Sequence, residues 1–167
     1  MTMQFANVWE RVADTVGDEI ALINGEKKSS WSSFDSKAAK IANILEEYGL
    51  KSDSKVGIYL HNSNEYLEAQ YGVFKIEGVP INVNYRYKEN ELIYLLDNAD
   101  AEAVFFQGCY ADRIKAIKDQ LPKIKVYIQV DDGTEPLMED AIDFENSISS
   151  SKEQKRFNRT DENIYML

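Results

Sequence analysis

Cysteine occurs once in these 167 residues, at Cys109, and histidine once, at His61. A single cysteine excludes an internal disulfide framework and makes a reducing, cytoplasmic setting the expectation. So sparse a Cys/His set also leaves no zinc-ligand spacing. There is no GxGxxG, no GxxxxGK[ST] and no GxSxG elbow, and His61 has no triad partner close in sequence. No apolar run is long enough to span a membrane, and the opening MTMQFANVWERVADTVGDE lacks the basic and apolar regions of a signal peptide. Basic residues are outnumbered, 19 against 29 acidic, for a formal net charge of −10. That balance excludes broad nucleic-acid binding and attraction to an anionic membrane surface. Small anions remain possible ligands, because backbone N–H groups at helix N-termini hold them locally. No repeat of fixed period is present.

What is present is enough apolar material for a real core: hydrophobic residues make up 44 % of the chain, with ten Tyr, seven Phe and two Trp. Spacing predicts a helix over 7–16, then an antiparallel hairpin of Ile20–Ile23 and Lys27–Trp31 turning at Asn24-Gly25. Ser32 and Asp35 have capping-box spacing. The helix that follows carries Phe34, Ala38, Ile41, Leu45 and Tyr48 on one face, and Gly49 sits where a left-handed cap is expected.

From Lys55 the rhythm changes. Strands are predicted at 55–60, 79–83, 101–107 and 125–130. Helices are predicted at 62–78, ended by Gly78, at 88–99 with Leu92, Leu95 and Leu96 inward, and at 110–121 with Ile114, Ile117 and Leu121 inward. Short apolar strands alternating with helices predict an α/β fold, a mostly parallel sheet flanked by helices, behind the N-terminal hairpin. Residues 1–130 form the α/β core of this reading. Residues 131–145 contain seven acids and no base, and 151–159 four bases and one acid. Residues 131–160 therefore read as an irregular charged connection with one short helix around 137–145. DENIYML, 161–167, reads as a loop and the start of a buried strand.

Four places could carry chemistry. His61, Asn62 and Ser63 follow a strand, at the edge where parallel sheets bind ligands, although Asn62, Ser63 or Asn64 could merely cap the next helix. Asp131-Asp132 follows another strand and could hold Mg²⁺ or accept a phosphoryl group, or lie in a solvated loop. Cys109 has nothing basic beside it to lower its pKa and reads as a structural thiol. Arg86, between Tyr85 and Tyr87, could stack or meet a phosphate, or pair with Glu89 or Glu91.

Several phrases, in order and at matching spacing over about residues 8–130, resemble the N-terminal part of the adenylate-forming (AMP-binding) enzymes, acyl-CoA synthetases in particular. The family's "T-Y-x-E-L" helix start is matched by Ser30-Trp31-Ser32-Ser33-Phe34, and "G-[LV]-x-x-G-D-x-V-[AG]-[IL]" by Gly49 to Ile58. "N-S-x-E" is Asn62 to Glu65, "G-x-x-K-x-G-[AG]-V-x-x-[PN]-[LIV]-N" corresponds to Gly72 to Asn84, and "E-L-x-Y-x-L" to Glu91 to Leu96. Departures are Ser30-Trp31 for Thr-Tyr, Asp35 where a Glu-Leu pair is usual, Ser54-Lys55 for Asp-Arg, and Glu77 for a small residue. They bear on subfamily.

The resemblance implies an acid–thiol ligase that activates a carboxylic acid, of the fatty class, with ATP and Mg²⁺, and passes the acyl-adenylate's acyl group to coenzyme A. It implies that DENIYML leads into a Ser/Thr/Gly-rich phosphate loop beginning at or just after Leu167, with the other catalytic residues further on. No catalytic and no metal-binding residue is carried onto 1–167. Arg86 alone is carried over, as a coenzyme A contact, because an arginine at this place lies near the CoA nucleotide in some relatives. The resemblance also implies that this segment alone is inactive, with exposed apolar edges that could favour a homo-oligomer. The other reading is a stand-alone α/β binding or receiver-like module acting through association, with Asp131-Asp132 holding Mg²⁺. A bare assembly fragment without a ligand is a third.

Overall fold

A buried amide starts the chain's first helix in the computed structural model, which describes residues 4–159. Gln4 is 2 % exposed; its side-chain oxygen accepts from the N–H of Ala6 at 2.7 Å, and its amide donates to the Phe74 carbonyl at 3.0 Å. One side chain thus caps α1 (Phe5–Val16) and fastens it to a helix some 70 residues away.

The hairpin β1 (Ile20–Asn24) and β2 (Lys27–Ser30) forms as predicted, but its turn lies one residue later. Asn24 stays in the ladder opposite Lys27, so Gly25 and Glu26 make the bend, with Gly25 at φ +60°. The next helix, α2 (Trp31–Glu47), is capped by Ser30 rather than Ser32: the Ser30 hydroxyl accepts from the Ser33 N–H at 3.2 Å. Asp35 is thereby free for a different role, described below. Phe34, Ala38, Ile41 and Leu45 are buried, whereas Tyr48 is 40 % exposed because the helix has ended before it. Gly49 closes the end at φ +77°.

Five parallel strands make the main sheet: β3 (Lys55–Tyr59), β4 (Val79–Asn82), β5 (Ala101–Gln107), β6 (Val126–Val130) and β7 (Ala141–Asp143). Their order is β4-β3-β5-β6-β7. Between them lie α3 (Asn64–Lys75), α4 (Glu89–Asn98) and α5 (Ala111–Ile117), with α6 (Phe144–Ser150) last. The side-chain alternation of the strands divides the core. Val56, Ile58, Phe105 and Ile128 face α2, α3 and α6, while Tyr59, Val104, Phe106 and Tyr127 face α4 and α5. Gly57 permits the close approach of α4, since a Cβ there would stand 2.8 Å from Leu96 Cδ2. Of the leucines read as inward on α4, Leu92 and Leu96 are buried and Leu95 is only partly so.

Two predictions are corrected here. α3 ends through Glu77, in the left-handed region at φ +56°, and not through Gly78. Gly78 is needed for space instead: a Cβ would lie 3.0 Å from the Ser54 carbonyl. The connection at 131–159 is irregular over most of its length, but its short helix lies at 144–150 rather than around 137–145, and a strand precedes it. β7 pairs Ile142 with Ile128 of β6, and α6, capped by Asp143, buries Phe144 and Ile148. A three-residue strand among acids has too little alternation to stand out in sequence. The strand expected from DENIYML lies outside the described residues.

Beyond α6 an extended strap, 151–159, runs back over α2 towards α1, and charge holds it there. Lys75 is 1 % exposed and its ammonium meets Glu10 at 2.7 Å and Asp35 at 2.8 Å, 4.7 Å from the centre of the Tyr71 ring. From the strap, Arg156 pairs with Asp14 and Asp35, each at 2.8 Å, and Arg159 with Glu10 at 3.0 Å. Burial raises the Asp35 pKa, but Lys75, with hydrogen bonds from Tyr71 and Arg156, outweighs it and holds the carboxyl below its ordinary value. Removing one partner from such a cluster strands a buried charge, at a cost of about 3–5 kcal/mol.

Lys75→Met in the full-length protein should therefore lower the unfolding midpoint clearly at neutral pH. A depressed carboxyl pKa contributes stability above the unfolded value, lost as pH falls through the folded one. In the variant the Asp35 pKa is higher, so the deficit should narrow as pH falls from about 7 towards 4. A deficit that is absent, or independent of pH, in thermal unfolding would contradict this role for the cluster.

Candidate functional site

In a doubly wound sheet of this order (β3 is the first strand of the parallel set, so the order reads 2-1-3-4-5) the crossovers part at the carboxyl ends of the first and third strands, and ligands bind in that crevice. Here those ends belong to β3 and β5. β3 finishes at Tyr59, followed by Leu60 and His61; β5 finishes at Gln107, and a single helical turn, 108–110, leads into α5.

Tyr59 is fully buried and stacks on Tyr110, ring centres 4.1 Å apart and 25° from parallel. Its hydroxyl donates to the Tyr87 carbonyl at 2.9 Å and accepts from Arg113 Nη1 at 2.8 Å. Burial raises the Tyr59 pKa and pushes Tyr110 up to about 12, so both phenols stay protonated at neutral pH. The Tyr110 hydroxyl shares a 2.6 Å hydrogen bond with His61 Nε2, and the backbone N–H of His61 donates to the Gln107 side-chain oxygen at 3.2 Å. The His61 ring leans on Tyr85, centres 5.4 Å apart. On the β4 side of this wall lies an open cleft of about 690 Å³, lined among others by His61, Asn62, Asn82, Asn84 and Tyr85.

Arg86 stands on the loop between β4 and α4. Asn84 organises that loop: its side-chain oxygen accepts from the Arg86 N–H at 2.9 Å and its carbonyl from the Tyr87 N–H at 3.0 Å. The Arg86 guanidinium lies over Tyr85, 5.3 Å from the ring centre, and its Nε donates to the Tyr85 hydroxyl at 3.0 Å. It stacks on one tyrosine rather than sitting between two. Neither predicted acidic partner engages it: Glu91 instead accepts the Lys88 N–H at 2.9 Å, capping α4. Among the described residues Arg86 has no carboxylate at ion-pair distance and is exposed, so its charge is available to an anion.

The other candidates fall differently. Ser63 caps α3, accepting from the Tyr66 N–H at 3.2 Å, which leaves His61 and Asn62 lining the cleft. Asp131 and Asp132 are turn residues. Asp131 accepts from the Gly133 N–H at 2.8 Å; Asp132 accepts from the Cys109 and Thr134 N–H groups, each at 3.1 Å, and from the Thr134 hydroxyl. Their oxygens are spent on protein donors, and no group of three or more His, Cys, Asp or Glu side chains suited to a metal is found among the described residues. The acidic pair also follows the fourth strand of the set, whereas a receiver-like module needs it after the first. Burial and the Asp132 carboxylate together raise the Cys109 pKa, in keeping with an inert thiol. Sequence reasoning passed over Tyr59, Tyr110 and Arg113. Only the placement of Tyr59 near the end of one predicted strand and of Tyr110 just beyond another could have singled out the first two.

The described residues thus form a doubly wound α/β unit with tyrosines and two arginines at its carboxyl edge. A family model for "AMP-binding enzyme" matches residues 9–167, and the chain belongs to that family. It is 34 % identical, over its whole length and 31 % of the relative's, to a 3-oxocholest-4-en-26-oate–CoA ligase of Rhodococcus rhodochrous. It is 33 % identical, with the same coverage, to a medium/long-chain-fatty-acid–CoA/3-oxocholest-4-en-26-oate–CoA ligase of Mycolicibacterium smegmatis. The chain thus spans about a third of the length of the curated relatives it matches. Its fold matches the anthranilate CoA ligase AuaEII in complex with anthranoyl-AMP, with TM-score 0.87 over 95 % of this chain and 30 % of that one at 18 % identity. It matches the apo structure of Mycobacterium smegmatis MbtA with TM-score 0.87, over 99 % of this chain and 31 % of that one at 16 % identity. No helix among the described residues is long and apolar enough to cross a membrane.

Asp132→Asn should move the pH midpoint of Cys109 alkylation downward, towards the ordinary thiol value of about 8.5. Asparagine keeps the oxygen that accepts from Thr134 and removes the charge, at the cost of the acceptor facing the Cys109 N–H. An unmoved midpoint would mean that burial alone sets the thiol's pKa.

Proposed function

We propose that this chain is the opening part of an ATP-dependent acid–thiol ligase that converts a fatty-class carboxylic acid to its coenzyme A thioester. The observation that carries the reading is the 34 % identity, across the whole chain, to a CoA ligase whose acid is large and apolar. In the reaction the substrate carboxylate attacks the α-phosphorus of ATP, pyrophosphate leaves, and a thiol then displaces AMP from the acyl-adenylate.

Within residues 1–167 the part assigned to that chemistry is recognition of the thiol substrate's nucleotide. Arg86 is exposed, free of carboxylates among the described residues, pre-oriented on Tyr85 and placed beyond the carboxyl end of β4. A guanidinium so held is suited to a phosphate group. The same edge offers ring faces at His61 and Tyr85 and side-chain amides at Asn62 and Asn84, a fit to a polar heterocycle carried beside that phosphate.

Two outcomes are expected. In the full-length enzyme Arg86→Ala should raise the KM for coenzyme A about tenfold, the loss of one charge-assisted contact. It should leave acyl-adenylate formation, read by ATP–pyrophosphate exchange, near wild type. An unchanged KM for coenzyme A would remove Arg86 from the site. Residues 1–167 alone contain no Ser/Thr/Gly-rich phosphate loop of the family's form, so the purified segment should show no exchange above buffer. Exchange by the segment would refute the division of labour proposed here.

A further inference from the structure

Arg113 is spent in a way that a surface arginine usually is not. It sits on α5, partly exposed, with no carboxylate at ion-pair distance among the described residues. Its Nη1 points instead at three neutral oxygens: the Tyr59 hydroxyl at 2.8 Å, the Tyr87 carbonyl at 3.1 Å and the Tyr85 carbonyl at 3.5 Å. The two carbonyls flank Arg86. The guanidinium is steadied by the Tyr110 ring, 5.5 Å from its centre, and Tyr110 is itself stacked on Tyr59 and bonded to His61.

The loop that carries Arg86 has few other ties. The bonds from Asn84 lie within the loop, and the Glu91 cap joins it only to the helix it precedes. Val83, just before the loop, is bonded to the Ile58 carbonyl at 3.2 Å and Tyr87 packs partly into the core, but within 84–88 the hydrogen bonds to the sheet run through the Tyr59 hydroxyl and Arg113. Because Arg113 donates to that hydroxyl, the phenolic proton is directed to the Tyr87 carbonyl, so the two contacts reinforce each other. One side chain on α5 thereby spans the crevice, linking β5's helix, β3's end and β4's loop.

We propose that Arg113 is a positioning residue for thiol-substrate recognition: it pins the loop at residues 84–88 to the sheet edge and so fixes where Arg86 points. The consequence for coenzyme A rests on the reading of Arg86 given above; the pinning of the loop does not. The planar fork suits this task, since it serves two or three acceptors at once, whereas a lysine supplies a mobile point charge.

The test uses the full-length enzyme with Arg113→Met, Arg86→Ala and the double variant, and reads hydrogen exchange alongside kinetics. The Arg86, Tyr87 and Lys88 amides are all hydrogen-bonded and therefore report on the loop. Arg113→Met should speed their exchange at least tenfold while leaving the β5 amides unchanged. It should raise the KM for coenzyme A several-fold and leave pyrophosphate exchange near wild type, and the double variant should be no worse than Arg86→Ala. Arg113→Lys should recover part of both effects. Unchanged loop exchange overturns the proposal, and so does a loosened loop with normal KM for coenzyme A where Arg86→Ala raises it. A loosened loop with neither variant changing that KM supports the pinning and removes Arg86 from the thiol site. If Arg113→Met does not fold, Tyr59→Phe removes the phenolic bridge alone and should speed the same amides to a lesser degree; no change there overturns the proposal.

Discussion

A lysine that water barely reaches organises the N-terminal half of this molecule. Lys75 ends α3 beneath α1 and α2, and its charge is tolerated only because Glu10 and Asp35 lie within 3 Å of it. Those carboxylates are in turn shared with Arg156 and Arg159. The cluster is thus a joint between four segments distant in sequence: α1, α2, α3 and the strap behind α6. Apolar packing would hold them together without fixing their register. Desolvated charges do fix it, because each displaced by an ångström or two loses a partner that water cannot replace.

The aromatic cluster beside this joint depends on the same geometry. Trp9 packs edge-on against Tyr71, ring centres 5.0 Å apart, and Phe34 lies 4.9 Å from Tyr71, whose hydroxyl donates to Asp35 at 2.5 Å. With α1 anchored this way, α2 and α3 form a rigid pair over one face of the sheet. Their contact is tight: a Cβ on Gly72 would stand 2.3 Å from Ile41 Cγ2. The carboxyl edge is built on contrary terms. It consists of phenols, amides, a histidine and two arginines without carboxylate partners among the described residues, hydrogen-bonded to one another and to loop carbonyls. Packing determines the scaffold, and polar direction determines the crevice.

That contrast explains what could be read in advance. The alternation from Lys55 to Val130 is legible because buried parallel strands are continuous apolar runs and their helices keep period. Each β3 and β5 residue that reads as apolar is in the core. Terminal details are less legible because several residues compete for each cap: Ser30 and Ser32 both stand at the start of α2, Glu77 and Gly78 both follow α3, and tertiary fit chooses. β7 and α6 escape notice because Ala141 and Ile142 are too few to show a period amid acids. Arg86 is legible through a family phrase and an isolated guanidinium. Arg113 is not, since a charged residue on a helix reads as solvent-facing. Only the folded arrangement of Tyr59, Tyr85 and Tyr87 gives it acceptors.

Electrostatic balance gives the two arginines their meaning. A chain with a net charge of −10 repels anions at long range, so on the proposed reading its anionic substrates must be captured by local fields. Nine of its 19 cations do not contribute. Lys27, Lys37, Lys55, Lys75, Lys118, Lys123, Lys125, Arg156 and Arg159 are each paired with carboxylates. Arg86 and Arg113 are not paired in this way among the described residues, and both lie on the same edge, one offered outwards and the other turned to backbone oxygens. An arginine held by carbonyls keeps its full charge, whereas one held by a carboxylate is neutralised. Arg113, although Glu89 lies close enough to act on its charge, adds to the local positive field of the edge that carries the exposed Arg86 and Lys88 while doing structural work. Screening confines that field to about 8–10 Å in salt. The loop must accordingly be held still for the field to be felt at a fixed point, which joins the mechanical role of Arg113 to the electrostatic one.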